Sequence, residues 1–206
     1  MKKIFLIFSI CILILMGGCS NTKELSYNGK QVVYQCTDED VKLFKEEVIV
    51  NITDKQGFIM VDSNSEMNEY TNGLLEFTEE DEVDLQKCFF VTYEEVKNNN
   101  FASRTPISHR DPVNGGMRIS ISGNYSYKVK DRKTFVKEYT NIDDLNRYIN
   151  TYINSVYVMN MPSKTYDELQ NEKEFDQTKL NSVNSLLTKY GIEVTEVKIE
   201  KVEKLS

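Results

Sequence analysis

From residue 48 the chain alternates between apolar and polar positions. Val48, Val50 and Ile52 carry the apolar phase and residues 57–61 continue the β signal, so strands are predicted there. Asn72-Gly73 has turn chemistry, with a short strand expected over 73–77 and another over 88–93. The cleanest alternation runs over 117–130. Met117, Ile119, Ile121, Tyr125, Tyr127 and Val129 share one face with Gly123, while Arg118, Ser120, Ser122, Asn124, Ser126 and Lys128 take the other. A strand this long with a glycine midway predicts a bend or bulge at Gly123. The period then switches to 3.6. Asn141 or Asp143 can cap a helix whose apolar stripe is Leu145, Tyr148, Ile149, Tyr152, Ile153 and Val156. Thr165-Tyr166-Asp167-Glu168 has capping-box form and opens a second helix, with Leu169, Phe175, Leu180, Val183, Leu186, Leu187 and Tyr190 inward and Gly191 as its stop. Ile192 and Val194 lie out of phase with Val197 and Ile199, so the closing strand is expected to bulge. Earlier, residues 31–34 form a brief strand, and an acidic helix over 38–47 takes Thr37 as its cap. Residues 20–30 read as a tether, and Lys97-Asn98-Asn99-Asn100 as a solvated loop.

The first 18 residues follow a different pattern. Lys2 and Lys3 precede an apolar run over 4–16 broken only by Ser9. At a helical rise that run spans roughly 20 Å, short of the roughly 30 Å hydrocarbon layer, so it reads as the core of a signal peptide. Leu15-Met16-Gly17-Gly18-Cys19 then resembles a bacterial lipobox. The expectation is diacylglyceryl transfer to the Cys19 thiol and cleavage between Gly18 and Cys19. Acylation with two or three chains gives stable anchoring to membrane lipid, on the extracytoplasmic face of the cell membrane. The organisation expected is a signal peptide over 1–18, a lipidated tether and helical lead-in over 19–46, and a folded domain over 47–206.

Composition narrows the chemistry. The chain carries 32 acidic against 25 basic side chains, a net charge of −7, and losing Lys2 and Lys3 takes the mature chain to −9. An acidic chain with no arginine cluster is not built for nucleic acid. With one histidine, a multi-histidine zinc site is excluded, and no calcium-loop spacing occurs, so no metal or other cofactor is expected. His109-Arg110-Asp111 resembles a kinase catalytic-loop triplet, yet no glycine-rich loop precedes it and Gly116 stands where a metal-binding Asn is needed. The acidic runs at Glu79-Glu80-Asp81-Glu82, Glu94-Glu95 and Asp143-Asp144 are neighbours in sequence, which point apart instead of forming a facing acid/base pair. No catalytic residue is assigned. With Cys11 removed and Cys19 acylated, Cys36 and Cys88 remain. Export permits a disulfide between them; the alternative is two separately buried thiols.

Several segments, in order, resemble one family. Gly123-Asn124-Tyr125-Ser126-Tyr127-Lys128-Val129-Lys130-Asp131 is similar to the G-x-Y-x-Y-x-V-x-D strand of SPFH (band 7) domains, as in stomatin, prohibitin and flotillin. Phe135-Val136-Lys137 and the helix after it match the next segment, as do Thr165-Tyr166-Asp167-Glu168-Leu169 and Lys189-Tyr190-Gly191-Ile192-Glu193-Val194. Arg104-Thr105-Pro106-Ile107 with Arg110-Asp111-Pro112 resembles a virion-core-protein-like bacterial subgroup. The resemblance implies an α+β fold, a curved, mainly antiparallel sheet with two or three packed helices. It also implies a non-enzymatic scaffold that organises other membrane or envelope proteins. Family members usually continue into a coiled coil that drives assembly, whereas this sequence ends at Ser206. A homo-oligomer and a monomeric ligand- or partner-binding lipoprotein are therefore both carried forward. Lys128, Lys130, Arg132 and Lys133 form a basic face that either meets anionic headgroups or is simply solvated.

Overall fold

The computed structural model describes residues 22–29, 31–138 and 142–205. The signal segment, Gly18, Cys19 and the cap expected at Asn141 lie outside the described residues.

Two sheets are built around two long strands. In the first, β3 (Val48–Val61) is central. It runs antiparallel to β4 (Met67–Phe77) along its length and to β5 (Lys87–Thr92) along its second half. Its first half pairs in parallel with β1 (Lys23–Ser26), and β2 (Val33–Gln35) adds antiparallel to β5. In the second sheet β8 (Gly115–Val129) is central, and every partner is antiparallel. One edge of β8 takes β6 (Val96–Ala102) and β7 (Ile107–Asp111), and the other takes β9 (Ile192–Leu205). The helices are α1 (Asp38–Leu43), α2 (Arg132–Glu138), α3 (Ile142–Met159), α4 (Tyr166–Asn171) and α5 (Gln177–Leu187). The architecture is α+β, with a curled, mostly antiparallel arrangement and helices packed upon it.

Period-two alternation in the first sheet divides its side chains between two cores. Val33, Ile59, Val61, Phe89 and Val91 point into the main core. They meet Ile119, Ile121, Tyr125 and Tyr127 of β8 there, together with Leu145, Ile149, Ile153 and Val156 of α3 and Val183 and Leu187 of α5. The opposite phase, Val48, Val50, Ile52, Phe58, Met60, Cys88 and Phe90, forms a second core closed by Leu25, Cys36 and Phe44. Phe44 follows α1, whose amphipathic register is set locally: Thr37 and Asp40 form the reciprocal capping box that fixes where the helix starts.

Bulges occur where the alternation predicts them. β8 and β9 change register between Ser122 and Gly123 and again between Ser126 and Tyr127, opposite Thr195. A Cβ on Gly123 would lie 2.0 Å from the Lys198 carbonyl oxygen, so only glycine lets β9 approach this closely.

Other expectations are corrected. Lys23–Ser26 is a strand and not tether, because Leu25 is buried and the backbone pairs with Val48–Asn51. Asn72-Gly73 lies inside β4; the reversal comes earlier, where the Asp62 carboxylate accepts the amides of Asn64 and Glu66 and Ser65 adopts φ 66°. Lys97 to Asn100 belong to β6, with Asn98 at φ 58° absorbing an irregularity in the pairing with β8. Asp143 falls inside α3. Leu186, expected inward, is exposed, and Leu187 beside it takes the buried position. The second helix is broken after Asn171. There Phe175 donates its amide to Val197 O and Ile199 donates to Lys173 O, so the break is an added contact on β9. Lys179, only 7% exposed, holds the break with ion pairs to Glu172 at 2.8 Å and Asp176 at 2.7 Å. Asp176 also caps α5 by accepting the Lys179 amide.

Candidate functional site

The largest irregularity in the first sheet lies within β3. Its pairing with β4 jumps from Ile52–Gly73 to Gly57–Thr71, so Thr53, Asp54, Lys55 and Gln56 stand opposite Asn72 alone. The bulged backbone is held from the other side by Tyr93, whose amide donates to Lys55 O at 2.7 Å. An open cavity of about 500 Å3 lies against the bulge. Tyr27 and Gln31 wall it from the lead-in, Lys55 and Gln56 from the bulge, and Phe90 and Thr92 from β5. Gln56 is 8% exposed, and its Nε2 is enclosed without a hydrogen-bond partner. Its charged wall is mainly acidic, from Asp54, Glu94 and Glu95, with Lys55 paired to Glu94 at 3.0 Å. That pair is solvated on both sides and contributes little stability. A hydrogen bond from Thr195, then the ion pair with Lys97, lowers the Glu95 carboxyl below its ordinary range.

Behind the bulge the two sheets are joined by a polar clamp. The Arg132 guanidinium, at the start of α2, pairs with Glu69 of β4 and lies 4.4 Å from the centre of the Tyr93 ring. Both charges are largely shielded from water, so this pair is stronger than the surface ones. The expected basic face is thus partly consumed. Lys128 and Lys130 both reach Glu193, at 3.2 and 3.6 Å, and Lys133 is exposed.

Cys36 and Cys88 are brought together, both buried and both as free thiols. The β2–β5 register continues to this pair: Cys36 donates its amide to Cys88 O at 2.9 Å. Both side chains enter the second core, and a hydrogen bond with the Cys36 thiol, reinforced by burial, pushes the Cys88 thiol far above its ordinary range. His109 sits apart from them on β7, buried at 4% exposure with Nε2 lacking a partner, so no thiol–histidine nucleophile is assembled.

The His109-Arg110-Asp111 triplet has a structural role through its last residue. Asp111 accepts the amides of Val113 and Asn114, each at 2.7 Å, and that of Tyr166 at 2.6 Å. Burial opposes its charge, but the three amides outweigh it and hold the carboxyl far below its usual range. The acidic runs are likewise committed to structure or solvent. Glu79 to Asp81 form a single 3-10 turn, and Asp144 pairs with Arg147 at 2.6 Å. Among the described residues no cluster of His, Cys, Asp and Glu is arranged to hold a metal ion, and no helix is long and apolar enough to cross a membrane.

The sheet of β6 to β9 with its packed helices matches the SPFH domain / Band 7 family model over residues 85–204, more than half of the chain. The chain belongs to this family. The match begins just before β5 and takes in α2 to α5 and nearly all of β9, so the sequence segments resembling SPFH domains from Gly123 onward lie within it. The bulge and the two edge strands of the lead-in precede the matched segment, yet β3 shares both cores with it. A search of curated proteins finds no match. SPFH proteins are generally non-enzymatic scaffolds that associate with membranes and oligomerise.

Proposed function

We propose that this protein is a membrane-anchored SPFH lipoprotein, tethered through acylated Cys19, that acts as a non-enzymatic scaffold for other proteins at the extracytoplasmic face. The observation that carries the scaffold role is the SPFH match over residues 85–204 on a fold of the corresponding class. The sequence Leu15-Met16-Gly17-Gly18-Cys19 behind a basic and apolar leader supports the anchor. The two fit mechanically: β1 begins at Lys23, four residues after Cys19, so an acylated chain would hold the first sheet close to the lipid surface. The virion-core-protein-like subgroup is the branch of the family that the Arg104 to Pro112 segment favours. Replacing Cys19 with Ala tests the anchor. The wild-type chain is expected as a shortened, acylated form in the membrane fraction, and Cys19→Ala as the uncleaved precursor. Normal processing of the variant would overturn the anchor.

The cavity at the β3 bulge favours a second reading, a monomeric lipoprotein that binds a ligand or partner there. Its acidic wall and the unpaired Gln56 amide suit a polar ligand carrying both a cation and a hydrogen-bond acceptor.

A further inference from the structure

We propose that Cys36 and Cys88 are a disulfide site that staples the N-terminal lead-in to the first sheet. Val33, Tyr34 and Gln35 oppose Val91, Phe90 and Phe89, so Cys36 opposes Cys88 one step further along the same ladder. Opposed residues of an antiparallel pair have Cα atoms about 4.5–5.5 Å apart, within the span that a disulfide bridges. Both side chains enter the same core, and the two residues are already joined through the Cys36 amide and the Cys88 carbonyl at 2.9 Å. Closing the bond therefore calls for no rearrangement of the strands.

The location gives the bond a purpose. β2 is three residues long and pairs only with β5 among the described residues, and α1 buries no residue of its own. Such an element opens easily by itself. A Cys36–Cys88 bond would join it covalently to β5, the first strand of the family-matched segment. Under the lipoprotein reading, a pull on the acylated end that frees β1 from β3 is then stopped at β5 instead of going on to peel away β2.

The chemistry is thiol–disulfide exchange with a disulfide donor, R–S–S–R, such as oxidised glutathione or an oxidoreductase of the export compartment. One cysteine thiolate attacks a donor sulfur, forming a mixed disulfide and releasing R–SH. The second thiolate attacks the protein sulfur of that intermediate and releases the second R–SH. The Sγ–Sγ bond forms, the donor bond breaks, and two protons and two electrons pass from the cysteines to the donor. Cys36 is 5% exposed and Cys88 fully buried, so exchange runs while β2 is undocked, during folding.

The test is refolding of the full chain, denatured and reduced, in detergent with a reduced and oxidised glutathione mixture. It is followed by alkylation and non-reducing peptide mapping, which separates Cys36 and Cys88 from Cys11 and Cys19. The expected result is a linked pair of peptides carrying Cys36 and Cys88, with a thermal midpoint that falls by roughly 10 °C on reduction. The Cys36→Ala/Cys88→Ala variant should show no such response to reductant; should it not fold, the wild-type map decides alone. Folded protein in which both cysteines are recovered separately alkylated would overturn the proposal. Refolding involves no membrane or export, so this result and the fate of the anchor reading are independent.

Discussion

Asp111 ties together two parts of the chain that are far apart in sequence. Its Oδ1 accepts the amides of the β7–β8 turn, and its Oδ2 accepts the first amide of α4, 55 residues later. Tyr166 is the first residue of that helix, so its amide has no partner within the helix and needs one from outside. Asp111→Ala is predicted to lower the thermal midpoint by several degrees at neutral pH, because three amides lose their acceptor at once. The pH dependence has a definite sign. The folded carboxyl lies below its ordinary value of about 3.9, so the stabilisation is complete above that value and fades as pH falls toward the folded one. Melting curves of wild type and variant should therefore differ most at neutral pH and converge in acid. A gap that stays constant down to pH 3 would contradict this. The local half of the arrangement is legible in the sequence, since Asp-Pro-x-Asn is turn chemistry and Thr165 with Glu168 is a capping box. The tie between them is not, because nothing in either segment specifies a partner so distant.

Among the elements, β8 shows what one strand's own pattern determines and β6 what it does not. β8 alternates over its length because one face is buried, and its glycine marks the place where β9 must come close. Gly123→Ala sets a Cβ against the backbone of Lys198 and the ring of Phe101, neither of which can swing aside. A loss of about 3 kcal/mol or more is predicted in urea unfolding. Gly116→Ala, which meets nothing within 4 Å, should stay within about 0.5 kcal/mol. Equal effects at the two positions would remove the close-approach argument. β1 and β6 carry no alternation that could announce them; both are strands because a neighbouring strand offers unpaired amides and carbonyls. The division of the second helix has the same origin: residues 173–175 leave the helix for β9. The cap at Asp176 is a readable signal for the restart, but Leu169, Phe175 and Leu180 all point inward and conceal the interruption. The bulge at Thr53 to Gln56, which opens the cavity, follows from pairing with β4 and β5 together, so the polar stretch alone does not reveal it.

At the scale of the whole molecule, β5 and the second sheet with its helices carry the family's matched segment, and the rest of the first sheet joins it to the lead-in that follows Cys19. The shared core and the Arg132–Glu69 clamp join the two sheets, and the facing cysteines join the lead-in to β5. A domain joined this firmly to its lead-in is suited to hold a fixed attitude at a surface, which a scaffold requires. The most direct test is the native mass of the mature protein, extracted gently from its own membranes and compared with the soluble domain lacking Cys19. The scaffold account predicts a large homomeric assembly in the membrane extract. A monomer in both preparations would contradict it and leave ligand binding at the β3 bulge as the function to pursue.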